Sequence, residues 1–160
     1  MALFVDLVAL SNGLHGSVQM DSVALFSWIG WLRHHGIFNS DLDECKRRIK
    51  KHIENEYGYV LSMSLDSIRK DYRFDETCQG SVPQSIIAFL ESTDFEDAIR
   101  NAISIGGDSD TIAAITGSIA EAAYGIPEDM KEKAYAYLDE PLKDVLRRWK
   151  KYMRGVTNHE

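Results

Sequence analysis

The sequence predicts an all-α fold. Apolar residues return at helical spacing in segment after segment, and no stretch keeps the alternation of a strand. The punctuation is also that of helices: Ser, Thr or Asp stands before the periodic runs, Gly after them, and Pro near several starts. With 160 residues, 44% of them hydrophobic, the chain is long enough for one domain with a real core, and its composition argues against disorder.

Charge and cysteine content narrow the function. A formal net charge of -7 argues against sequence-independent nucleic-acid binding, which needs a basic footprint. Cys45 and Cys78 are the only cysteines, and two thiols suit a reducing compartment better than a disulfide framework, so a cytoplasmic location is expected. The run 2–10, apolar apart from Asp6, is too short to span a bilayer and has no basic residue before it, so neither a membrane segment nor a signal peptide is expected.

The first readable feature is the turn Ser11-Asn12-Gly13, followed by His15-Gly16. A helix capped by Asp21 or Ser22 is then expected to run to about residue 35, where Gly36 stops it. Its residues 23–32 are apolar almost all round, which marks a buried helix or one that meets a partner. From residue 40 to about 55 the pattern reverses. Leu42, Cys45, Ile49 and Ile53 make one stripe, and the basic run Lys46-Arg47-Arg48, Lys50, Lys51 reads as a solvated face balanced by Asp41, Asp43 and Glu44.

Residues 56–77 read as mostly irregular, with a short helix over 64–69. Ser81-Val82-Pro83-Gln84 has the form of a helix start: Ser81 as cap, Gln84 closing a capping box, Pro83 in the first turn. Thr93-x-x-Glu96 has the form of a second capping box, opening a helix striped by Phe95, Ala98, Ile99, Ala102 and Ile103. The next helix is expected over 109–124. Its Ala113, Ala114, Gly117, Ala120, Ala122 and Ala123 have little bulk, so neighbouring backbones can come close. Two helices with proline near the start follow, over 127–138 and 141–153, and the tail 155–160 is expected to fray.

The residues with most chemistry are Gly106-Gly107-Asp108-Ser109-Asp110-Thr111. Paired glycines permit a sharp turn, and the turn would present Asp108, Asp110 and Thr111 as oxygen ligands for a hard cation such as Mg2+ or Ca2+. The competing reading is an acidic helix start, since Asp and Ser are favoured caps and negative charge suits a helix N-terminus. An EF-hand is excluded, because Ile112 and Ala113 stand where that loop needs a ligand and a glycine.

This hexapeptide and the small-residue helix through Gly125 resemble the C-terminal signature of the ADP-ribosylglycohydrolase family. The similarity extends upstream through Tyr72-Arg73-Phe74-Asp75, Cys78-Gln79-Gly80-Ser81-Val82-Pro83 and the helix 84–91, and covers roughly residues 15 to 150. The resemblance implies an orthogonal multi-helical bundle, here a shortened one. It implies two Mg2+ ions that orient the ribose and position a water during hydrolysis of ADP-ribose from acceptors such as arginine or serine. Carried over, Asp108 and Thr111 would ligate one ion and Asp110 would bridge towards the other. His15, Tyr72, Ser81, Val82, Gly107 and Ser109 would meet the substrate.

The departure from the family pattern is upstream. The Thr-Asp-Asp run, the catalytic acidic residue and the phosphate loop that the resemblance leads one to expect have no counterpart here. The chain therefore reads as a single truncated domain over 1–160, with an atypical segment 1–16 and at most a partial metal site. Weak or no activity alone is expected, together with self-association or pairing with a complementary fragment. Two further readings stay open: a non-catalytic module for ADP-ribose or a nucleotide, and a helical self-assembly domain.

Overall fold

The structure is a computed structural model and describes residues 41–75 and 77–156, with side chains to Tyr152. The helix expected over 21–35, its residues 23–32 and His15 lie outside the described residues. Seven helices and no strand are found among the described residues: α1 Leu42–Tyr57, α2 Leu65–Asp71, α3 Cys78–Leu90, α4 Phe95–Ile105, α5 Ser109–Tyr124, α6 Glu128–Tyr137 and α7 Glu140–Val156. The all-α expectation holds. None of these helices is long and apolar enough to cross a membrane. The chain divides into two compact units, Met1–Gly125 and Ile126–Glu160.

In the first unit α5 packs on α4 and α3, and α2 rests on α4 and α3. The core is made of Ile49 and Ile53 of α1, Leu65 and Ile68 of α2, Ile86 and Phe89 of α3, Ala98 and Ala102 of α4, and Ile112, Ile119 and Ala120 of α5. Gly117 is buried in the middle of α5, as expected of a residue that lets backbones approach. The buried Thr116 hydroxyl donates to the Ser85 carbonyl at 3.0 Å and ties α5 to α3. Arg69 of α2 donates to Ser104 and Asn101 of α4, and Asn101 in turn donates to the Ala88 carbonyl of α3.

Helix starts follow sequence chemistry, with two corrections. Asp41, Ser64, Thr77 and Asp94 each accept a backbone N–H from the first turn of the helix they open. The cap of α3 is therefore Thr77 and not Ser81. Ser81 lies one turn inside, buried, with its hydroxyl donating to the Thr77 carbonyl. Pro83 is consequently interior, and having no N–H it leaves the Gln79 carbonyl, four residues back, without its helical donor. The second correction is at α4. The cap is Asp94, which accepts from Asp97 N–H at 2.8 Å, and Asp97 reaches back to the N–H of Thr93 at 2.9 Å. The helix thus opens one residue later than Thr93/Glu96 implies, and Asp97 returns its bonds to Thr93 and not to the cap itself.

The basic face of α1 is only in part a solvated surface. Arg47 pairs with Glu44 on the exterior. Lys46 turns inward, donates to the Ser92 carbonyl and lies 5.4 Å from the Phe89 ring centre and 5.6 Å from that of Tyr124. Burial pushes the Cys45 thiol above its ordinary pKa.

The second unit is built from α6 and α7. Pro127 stands at the cap of α6, and Asp139 accepts the N–H of Leu142 at the start of α7. The Lys143 ammonium lies over the Tyr135 ring, Leu146 is buried, and the rings of Trp149 and Tyr152 are 5.7 Å apart. Helix α7 continues to Val156, two residues into the tail expected to fray.

Candidate functional site

Two separate stretches of the first unit meet at the Gly106–Gly107 turn. Gly106 and Gly107 hold φ of 80° and 60°, in the region that favours glycine. A Cβ at Gly107 would lie 2.5 Å from a ring carbon of Tyr72 and 3.3 Å from the Phe74 Cα. The turn is thus pressed against the 72–74 segment, and only the missing side chain allows it. Burial, then the charges of Asp75 and Asp108, push the Tyr72 phenol above its usual pKa.

Asp108 occupies the N-cap position of α5 but makes no capping bond, unlike the caps of α1 to α4. Its side chain is engaged with Asp110. A hydrogen bond with Asp108 is the largest influence holding the Asp110 carboxyl below the ordinary range, and the backbone N–H groups of Asp110 and Thr111 add to it. Thr111 is exposed in the same first turn. Simple capping therefore does not account for Asp108.

Beside the turn, an open cleft of about 440 Å3 is lined by the 71–75 segment and by Gln79, Gly80 and Gln84 on one side of α3. Its floor depends on a second glycine. A Cβ at Gly80 would stand 2.2 Å from Asp75 Cγ, so this glycine is what lets Asp75 lie over the first turn of α3. There Asp75 accepts from the Thr77 hydroxyl at 2.7 Å and the Thr77 N–H at 2.9 Å, while the Gly80 N–H donates to that same hydroxyl. The bond from the hydroxyl, then that from the N–H, lowers the Asp75 pKa. A lowered folded-state pKa contributes stability above the unfolded value of about 3.9, and this is lost as pH falls through the folded value. Carboxyl NMR titration should give Asp75 a pKa below that of a model aspartate, and Thr77→Val should move it upwards.

The candidate residues sort as follows. Asp108, Asp110, Thr111, Gly107 and Ser109 share one turn, and Tyr72 packs against it. Ser81 is buried and Val82 half-buried, and neither lines the cleft. Gln79 and Gln84 line it, though the sequence pointed to them only as part of the family resemblance and as a capping residue; the i, i+4 spacing of Gly80 and Gln84 on one helix face was the available signal. No group of three or more His, Cys, Asp or Glu side chains placed to hold a metal exists among the described residues.

A model of the ADP-ribosylglycohydrolase family matches residues 2–156. The chain belongs to the ADP-ribosylglycohydrolase family. Comparison with curated proteins and with solved structures gives no match. The helices described above agree with the helical fold of this ADP-ribosylglycohydrolase family, and the family implies ADP-ribosylated substrates and metal ions.

Proposed function

We propose that this chain carries the C-terminal half-site of a Mg2+-dependent ADP-ribosyl hydrolase: it holds ADP-ribose beside the Asp108–Asp110 pair, and does little chemistry alone. The observation that carries the reading is the Gly106–Gly107 turn, which puts Asp108, Asp110 and Thr111 together at the start of α5, where the Asp108 carboxylate makes no capping bond. Asp108, Asp110 and Thr111 supply hard oxygen donors, and these fit part of the shell of a Mg2+ ion. When bound, such an ion supplies the charge that orients the ribose and polarises a water.

The chain's own residues do the rest of the work in this reading. Asp108 and Thr111 hold one ion and Asp110 leans towards a second. Tyr72, Gly107 and Ser109 meet the substrate. Ser81 and Val82, in the first turns of α3, were expected to contact the substrate but do not line the cleft, and His15 is a further contact in this reading. Three oxygen donors hold an ion weakly, because affinity follows the number and charge of the ligands. In this reading the remaining ligands come from outside the described residues.

A non-catalytic ADP-ribose module is the second reading, favoured by the lack of a third acidic or histidine ligand among the described residues. Turnover of an ADP-ribosylarginine peptide in Mg2+ separates the two. The half-site reading expects slow turnover that Asp108→Ala removes, and the module reading expects none. Rapid turnover unaffected by Asp108→Ala would contradict both.

A further inference from the structure

The unit Ile126–Glu160 has almost no interior of its own. Leu146 is its one buried side chain among the described residues, while Leu142 is 41% and Tyr152 63% exposed. Isolated helices of this length are marginal in water, and the packing of an apolar face is what stabilises them. The uncovered part of α7 has a definite pattern. Leu142, Val145, Trp149 and Tyr152 follow at steps of three, four and three residues, the a and d spacing of a coiled-coil seam. Val145 and Trp149 in the middle are half-buried, and the two ends are exposed.

Charge runs along α7 in one direction. Glu140 and Asp144 stand in its first half and pair with Lys143, Arg147 and Arg148. Lys150 and Lys151 follow, exposed and without an ion pair among the described residues, in a chain whose formal net charge is -7. Two such helices laid antiparallel set the acidic start of each beside the basic end of the other. Parallel pairing would set Lys150 and Lys151 against their own copies.

We infer that α7 is the contact face for a second copy of this chain, the two forming an antiparallel helix pair about a two-fold axis. An axis level with Arg147 puts Leu142 opposite Tyr152 of the second copy and Val145 opposite its Trp149, and the same pairs recur beyond the axis. Each exposed end of the seam then meets an apolar residue, and Asp144 comes level with Lys150. Four residues make a small contact, so the dimer is weak. The inference is independent of the ADP-ribose reading, whose residues lie in the other unit.

Sedimentation equilibrium of the full chain tests this. The wild-type mass should rise towards that of a dimer as the concentration is raised to about 1 mM. Tyr152→Glu, at an exposed position, should raise the dissociation constant about tenfold or more, and Leu142→Glu likewise. An equimolar mixture of Leu142→Glu with Tyr152→Lys should recover association, because the introduced carboxylate faces the introduced ammonium at one end while the native pair remains at the other. A wild-type chain that stays monomeric throughout, a comparison that needs no variant to fold, would overturn the inference. So would a dimer that neither substitution weakens, or a mixture that shows no recovery. Monomers that instead cosediment with vesicles of phosphatidylcholine and phosphatidylserine, and lose this in Lys150→Glu/Lys151→Glu, would overturn it too and give the face to an anionic lipid surface.

Discussion

Gly107→Ala is expected to destabilise the Met1–Gly125 unit by about 2–4 kcal/mol, and to separate the acidic turn from the 72–74 segment. Two costs add. Alanine resists a φ of 60°, and its Cβ would meet the Tyr72 ring at 2.5 Å. Neither neighbour yields easily, since the Phe74 backbone stands behind the same point at 3.3 Å. Urea unfolding measures the loss. In a Tyr72→Ala background the contact is gone, and the added cost of Gly107→Ala should fall to the backbone part, about 1 kcal/mol. An equal cost in both backgrounds would show that the ring and the turn are not pressed together.

Phe89→Ala should be more damaging, at about 3–5 kcal/mol. Phe89 is fully buried on α3, tilted against Tyr124 of α5 with ring centres 5.9 Å apart, and forms one wall of the recess holding the Lys46 ammonium. Truncation leaves a cavity between three helices and strips the lysine of an aromatic face. Because the Lys46 ammonium also holds the Ser92 carbonyl, and Tyr124 donates to that same oxygen at 2.8 Å, the C-terminal end of α3 should loosen as well. Thermal unfolding should show a large fall in midpoint, with Phe89→Leu losing only about a third as much. A loss below about 1 kcal/mol would mean that α1, α3 and α5 do not converge on this ring.

Local features of the fold were legible and contacts between distant segments were not. Helix α5 is readable because two glycines and an acidic residue precede a run of small residues, and each of these signals is local. The start of α3 is misread by a turn, since Ser81-x-x-Gln84 with Pro83 imitates a capping box. The real cap at Thr77 depends on Asp75 lying over Gly80, and no spacing rule encodes that packing. The inward turn of Lys46 is hidden for the same reason: its acceptor, Ser92, is 46 residues away. At the candidate site, Asp108, Asp110 and Thr111 could be picked out from residue type and spacing alone. The meeting of Gly107 with Tyr72 required the fold.

The most direct test of the central proposal is a Mg2+ titration of the wild-type chain followed by amide NMR, alongside an Asp108→Asn/Asp110→Asn double variant. The half-site account expects saturable shifts at residues 106–112 and at Tyr72, with an apparent affinity of about millimolar, and their loss in the double variant. Shifts scattered over the acidic surface, or an unchanged response in the variant, would contradict it.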